Sequence, residues 1–271
     1  MARFLVILLL AVSAVASHAA ASPAQEFWDE VLPNSPMPSA IRDLLYPGKM
    51  IKSANEDTVG GVFFLAKNLH PGSKMTLHLT RTTSSATLLP RRVSDSIPFS
   101  STQLPTILSR LSVEPNSAKA EAIKKTLSEC EEPAFAGETK LCATSLESMV
   151  EFAMSSLKTR SIQAMSTKVS KEGTPKQEYT ILSLRKMPAS ELVACHGASY
   201  AYAVFHCHTT SASAYTASMV GMDGSKVEAL AACHTDKAAG VEEAFKKFGV
   251  EPGTVPVCHF LPQDDLLWAR N

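Results

Sequence analysis

The sequence predicts an α+β fold, and two observations carry that reading. Apolar residues recur at helical spacing as far as Leu157, whereas from Lys158 onward they alternate with polar ones, the period of a half-buried strand. Four copies of the dipeptide Cys-His then fall in the strand-patterned part: Cys195-His196, Cys207-His208, Cys233-His234 and Cys258-His259. Gaps of 10, 24 and 23 residues separate them, and Trp268 follows after 8 more. Helices are therefore expected in the N-terminal half, with one mainly antiparallel sheet carrying the Cys-His pairs in the C-terminal half.

The elements follow in order. Residues 1–19 read as a signal peptide: Arg3 is the basic start, residues 4–15 are apolar or small apart from Ser13, and Ser17-His18-Ala19 or Ala14-Val15-Ala16 offers a cleavage tripeptide. That apolar run falls short of the roughly 20 residues that cross a bilayer. Residues 20–61 form a short variable segment, in which a helix near Trp28 gives way to a connector broken by Pro33, Pro36 and Pro38. Residues 58–65 predict a strand, His70-Pro71-Gly72 a turn, and Met75, Leu77 and Leu79 a second strand alternating with polar Thr76, His78 and Thr80. Helices are expected over 102–111, over 117–129 with Asn116 as N-cap, and over 145–157. Segments 161–170 and 177–184 flank Lys171-Glu172-Gly173 and predict a hairpin. Residues 200–210 alternate, 215–222 turn through Asp223-Gly224 into 226–234, and a helix over 238–248 precedes a closing strand over 255–260.

Composition narrows the function. Lys plus Arg equals Asp plus Glu at 26 each, so no net field favours nucleic acid or an anionic membrane. No second long apolar run predicts a membrane segment in the mature chain. Gly-x-Ser-x-Gly, phosphate-binding glycine loops and His-Glu-x-x-His are absent from the sequence. The adjacent pairs Glu131-Glu132 and Asp264-Asp265 read as surface.

An exported chain meets an oxidising compartment, and its six cysteines are an even number. Cys130 and Cys142 enclose a short loop with Pro133 and Gly137, which predicts a local disulfide. Cys195, Cys207, Cys233 and Cys258 are left for two more bridges, in any of three connectivities. A thiolate zinc site is the alternative, but its usual close cysteine spacing is missing.

Alternation along a strand gives the dipeptide a meaning, because sulfur and imidazole point to opposite faces. Cys207 is in phase with apolar Ala203 and Phe205, and His206 and His208 with Tyr200, Tyr202 and Val204. The expectation is a layer of disulfides behind a layer of imidazoles. His196, His208, His234, His259 and His206 are the candidate metal ligands, and a nitrogen-rich set suits copper or zinc, copper by the affinity order. The same rings satisfied by backbone hydrogen bonds need no metal. His70, His78, Tyr200, Tyr202 and Trp268 read as structural.

Spacing and motifs together resemble the plant BURP domain. The resemblance rests on the four Cys-His pairs and Trp268, with Phe63-Phe64-Leu65, Leu69-His70-Pro71-Gly72, Asp95-Ser96-Ile97-Pro98-Phe99-Ser100, Cys142-Ala143-Thr144-Ser145-Leu146-Glu147 and residues 252–260. It covers 62–271, plus a segment from Trp28 to Ile41. It implies a secreted plant protein of apoplast or cell wall, in seed, anther or stress biology, with a cell-wall enzyme such as a polygalacturonase as partner and more often no catalytic role. Some members are copper-dependent cyclases that cross-link a Trp or Tyr of a peptide substrate. This chain departs from them: it has no repeated Trp- or Tyr-ending core peptide, so cyclisation is expected only in trans. It also carries Asp264-Asp265 where the family pattern has a histidine.

Overall fold

Two antiparallel sheets share the Cys-His strands, where the sequence predicted one. The computed structural model describes residues 22–45, 62–79, 86–189, 191–237 and 240–271. The leader, residues 58–61 of the first predicted strand, Thr80 and the start of the last predicted helix at Ala238 lie outside the described residues. One sheet has the order β1 (Phe63–Leu65), β11 (Val257–Phe260), β10 (Lys226–His234), β9 (Ser213–Gly221), β6 (Gln177–Lys186), β2 (Lys74–Leu77), with β5 (Lys168–Val169) added to β10. The other runs β3 (Lys140–Ala143), β8 (Val204–Thr210), β7 (Leu192–Ala198), β12 (Leu266–Arg270), β4 (Ile162–Met165). The physical reason for two sheets is burial. Residues 192–195 of β7 are buried on both faces, so the strand needs cover on each side.

Helices supply one cover and the second sheet the other. On the outer face of the five-stranded sheet, Val193, Cys195, Phe205, Cys207 and Trp268 pack under α1 (Pro23–Val31), α2 (Ser39–Leu45) and α6 (Leu146–Leu157). On its inner face, Leu192, Ala194 and Leu267 meet Ala214, Leu230 and Ala232 of the seven-stranded sheet. The latter's own outer face holds Phe64, Tyr179, Met219, Cys233, Cys258 and Phe260.

The predicted hairpin over 161–184 does not form. β4 pairs with β12, β5 with β10, and β6 with β2 and β9. Fully buried Thr167 stands where the chain crosses between sheets, its Oγ1 donating to Leu261 O at 2.7 Å and accepting from Leu230 N–H at 3.0 Å. Those long-range bonds override a local turn signal. The β9–β10 hairpin forms as expected. β3, β7 and β12 lack readable alternation, being short or buried on both faces, and were not predicted.

Helix ends follow capping chemistry. The cap of α5 (Ala118–Glu131) is Ser117, whose Oγ accepts from Ala120 N–H at 3.1 Å. Asn116, predicted for that role, takes φ +66°, which the extended N-cap position does not allow. α6 starts at Ser145, its Oγ accepting from Ser148 N–H.

Candidate functional site

Strand register decides where each half of a Cys-His pair points. Cys195 lies opposite Cys207 and is bonded to it, and Cys233 lies opposite and is bonded to Cys258. The third bridge is Cys130–Cys142. Directly opposed residues of an antiparallel pair share a face. One residue beyond each cysteine, His196 therefore sits opposite His206, His208 opposite Ala194, His234 opposite Val257 and His259 opposite Ala232. All five imidazoles fall on the inner faces, extending the layer between the sheets. The expected single disulfide layer becomes two, one on each outer face, because the pairs come from two sheets. Cys142 is an exception, standing opposite His206 on the imidazole side.

The rings meet across the gap. His196 and His208 stack with centroids 5.5 Å apart, and their Nε2 atoms face each other at 3.4 Å. His234 and His259 stack at 5.5 Å, His196 reaches His259 at 6.5 Å, and His206 lies 5.9 Å from His208. His208 and His234 are each 3% exposed, while His196 keeps a third of its side chain in solvent, so the cluster opens at His196. His70 stands apart and exposed, its Nδ1 2.9 Å from Pro71 O.

Oxygen acceptors fix three tautomers. His196 Nδ1 is 2.7 Å from Asp265 Oδ2, His208 Nδ1 is 2.6 Å from Glu138 Oε1 and 3.3 Å from Thr209 O, and His259 Nδ1 is 3.4 Å from Phe260 O. An oxygen acceptor requires the proton on Nδ1, leaving the Nε2 of each neutral ring a lone pair. Two lone pairs at 3.4 Å repel unless a proton or a cation lies between them.

The sequence profile of the BURP domain matches residues 62–270. The chain belongs to the BURP domain family. It is 61% identical to BURP domain-containing protein 6 of Oryza sativa subsp. japonica, over 87% of this chain and 100% of that one. BURP domain-containing protein 2 of the same plant is 52% identical, with all of both chains covered. BURP domain-containing protein 8 is 49% identical over 96% of this chain and 86% of its own.

Two functional groups of this BURP domain escaped the sequence reading. Asp264-Asp265 is buried, at 1% and 5% exposure, not on the surface, because Asp265 closes on His196 and on Gly197 N–H. Glu138 closes on His208. Each carboxylate is about 70 residues from its histidine in sequence, and no local pattern links them. The signal was only the acidic residue itself, beside a cysteine loop or a strand.

Electrostatics divides the rings. Burial, then the neighbouring rings, pushes His206 and His234 down to about 4 and His259 to about 3. Burial also opposes charge on His196, but Asp265 and Asp264 override it and hold the ring above its usual value. Glu138 is likewise disfavoured by burial, and His208 overrides that to hold its carboxyl below the usual range.

A pH prediction follows for metal-free protein. The folded pKa values of His206, His234 and His259 lie below the unfolded value of 6.5, so the unfolded chain takes up protons first as pH falls. Their stabilisation is present above pH 6.5 and lost on acidification toward about 4. His196 works the other way: its raised pKa contributes below 6.5 and fades as pH rises through the folded value. Three rings outweigh one, and each net proton changes stability by about 1.4 kcal/mol per pH unit. Urea midpoints should therefore fall from pH 7 to pH 5, and a flat profile would contradict the buried neutral rings.

The donor set fits copper or zinc in kind. Nitrogen atoms face one another, carboxylates hold the far side of two rings, and His206 Nε2 and His234 Nδ1 are buried with no hydrogen-bond partner among the described residues. Among those residues no three His, Cys, Asp or Glu side chains already stand as a set able to hold a metal ion.

Proposed function

We propose that this BURP-domain chain is a secreted plant protein acting in the apoplast or cell wall, without catalysis of its own. The observation that carries this reading is the burial of Trp28. It is the one tryptophan ahead of the domain, and as a self-substrate it would have to reach the site. Instead it is 1% exposed, its Nε1–H donates to Ser35 O at 2.8 Å, and its ring lies 5.9 Å from Trp268. Six paired cysteines and the leader pattern of residues 1–19 support export. A wall enzyme such as a polygalacturonase is the partner proposed by family resemblance.

A second reading is favoured by the facing imidazole nitrogens: a copper-dependent oxidative cyclase acting in trans on a Trp- or Tyr-containing peptide. His196 and His208 would hold the ion, with His234, His259 and His206 as the remaining donors. Copper supplies one-electron oxidation of an aromatic side chain; the protein's own contribution is to orient the rings through Asp265 and Glu138.

Metal analysis of protein purified from a secretory host separates the two. Copper retained in stoichiometric amount and lost on His208→Ala supports the second reading. Folded, metal-free protein that takes up no copper ends it.

A further inference from the structure

We propose that Glu138 is a positioning residue for the imidazole cluster, delivered to His208 by the loop that Cys130–Cys142 closes. The proposal deepens the metal reading in one of its arms and stands on the metal-free protein in the other.

The loop is built for one side chain. Gly137, at φ +83°, is the third residue of a turn closed by Glu138 N–H to Phe135 O at 3.0 Å, a place where a left-handed residue is required. Glu138 Oε2 accepts from Phe135 N–H at 3.2 Å, which leaves Oε1 directed at His208 Nδ1, 2.6 Å away. The next residue ties the loop to the end of β8, with Thr139 N–H donating to Thr209 Oγ1 and Thr209 N–H to Thr139 O, both at 2.9 Å. Disulfide Cys130–Cys142 then fixes the loop's two ends, at the last turn of α5 and in β3 beside His206. Both carboxylate oxygens are engaged, and the Glu138 side chain is 9% exposed.

The consequence is chemical. With Glu138 in place, the His208 proton sits on Nδ1 and the Nε2 lone pair faces His196. Without it, and with His196 neutral, moving the proton to Nε2 turns a repulsive contact into an N–H···N hydrogen bond to His196 Nε2. Thr209 O, at 3.3 Å, also accepts from Nδ1–H, but it is longer and uncharged. The disulfide makes this arrangement sensitive to reductant. Cys130 and Cys142 are half-buried, whereas the other four cysteines are no more than 4% exposed.

Imidazole ¹⁵N spectra of metal-free, full-length protein test the placement, because they report which ring nitrogen carries the proton. Wild-type His208 should be the Nδ1–H form. Glu138→Ala should convert it to Nε2–H, and Glu138→Gln, which retains an acceptor oxygen, should restore Nδ1–H. A folded Glu138→Ala protein with His208 still Nδ1–H overturns the proposal. Gentle reduction and alkylation of Cys130–Cys142 in wild-type protein gives the same reading with no variant to fold, and an unchanged His208 there overturns the role of the loop. Glycine-buffered Cu(II) is the second arm: Glu138→Ala should bind about 10–100-fold more weakly than wild type. Equal Cu(II) affinity overturns positioning toward metal, and no binding by either protein refutes the metal reading while the ¹⁵N result still decides where Glu138 acts.

Discussion

Trp28→Ala is expected to destabilise the protein by about 3–5 kcal/mol, the range for removing a large aromatic from a packed core. Trp28 lies ahead of the stretch matched as the BURP domain, at 62–270, yet it is among the largest fully buried side chains. Its ring shares a cluster with Ile41, Leu146, Met149 and Trp268. Truncation leaves a void on α6, and it removes the donor on Ser35 O. Ser35 in turn donates through Oγ to Ile162 O at 2.7 Å, so the loss reaches β4 of the five-stranded sheet. Guanidinium unfolding followed by far-ultraviolet circular dichroism measures it. A cost below about 1 kcal/mol would mean that residues 23–45 are an appendage and not part of the core.

Removing the buried bridges ranks beside it. In the loop-entropy account, Cys195→Ala/Cys207→Ala, with a separation of 12 residues, should cost about 3 kcal/mol, and Cys233→Ala/Cys258→Ala, with 25, about 3.5 kcal/mol. Each bridge backs its own pair of imidazoles, so each double variant should also broaden the ring-nitrogen signals of His196 and His208 or of His234 and His259. Equilibrium unfolding of the two variants checks order and size. Stability equal to wild type in either would show that strand pairing alone holds the register.

Much of this was legible along the chain. The helix over 145–157, the β9–β10 hairpin, the local Cys130–Cys142 bridge and the opposed directions of sulfur and imidazole all follow from spacing of a few residues. Turn chemistry misled at 161–184, where Thr167 is claimed by partners 63 and 94 residues away. Asn116 misled because two adjacent residues both suit an N-cap, and backbone conformation chose Ser117. Asp264-Asp265 misled because an adjacent acidic pair is ordinarily solvated, and it is His196, 69 residues away, together with Gly197 N–H, that stabilises Asp265 in the interior.

The sequence alone determined the family, the α+β class, the paired state of the cysteines and the five histidines worth watching, since each rests on identity or on short-range periodicity. Tertiary structure decided that the Cys-His strands split between two sheets, that Trp28 joins the core, and that Glu138 and Asp265 hold two of the rings. Those outcomes depend on which distant strands bury which faces, and side chains some 70 residues apart become neighbours only once both sheets have closed on the layer between them.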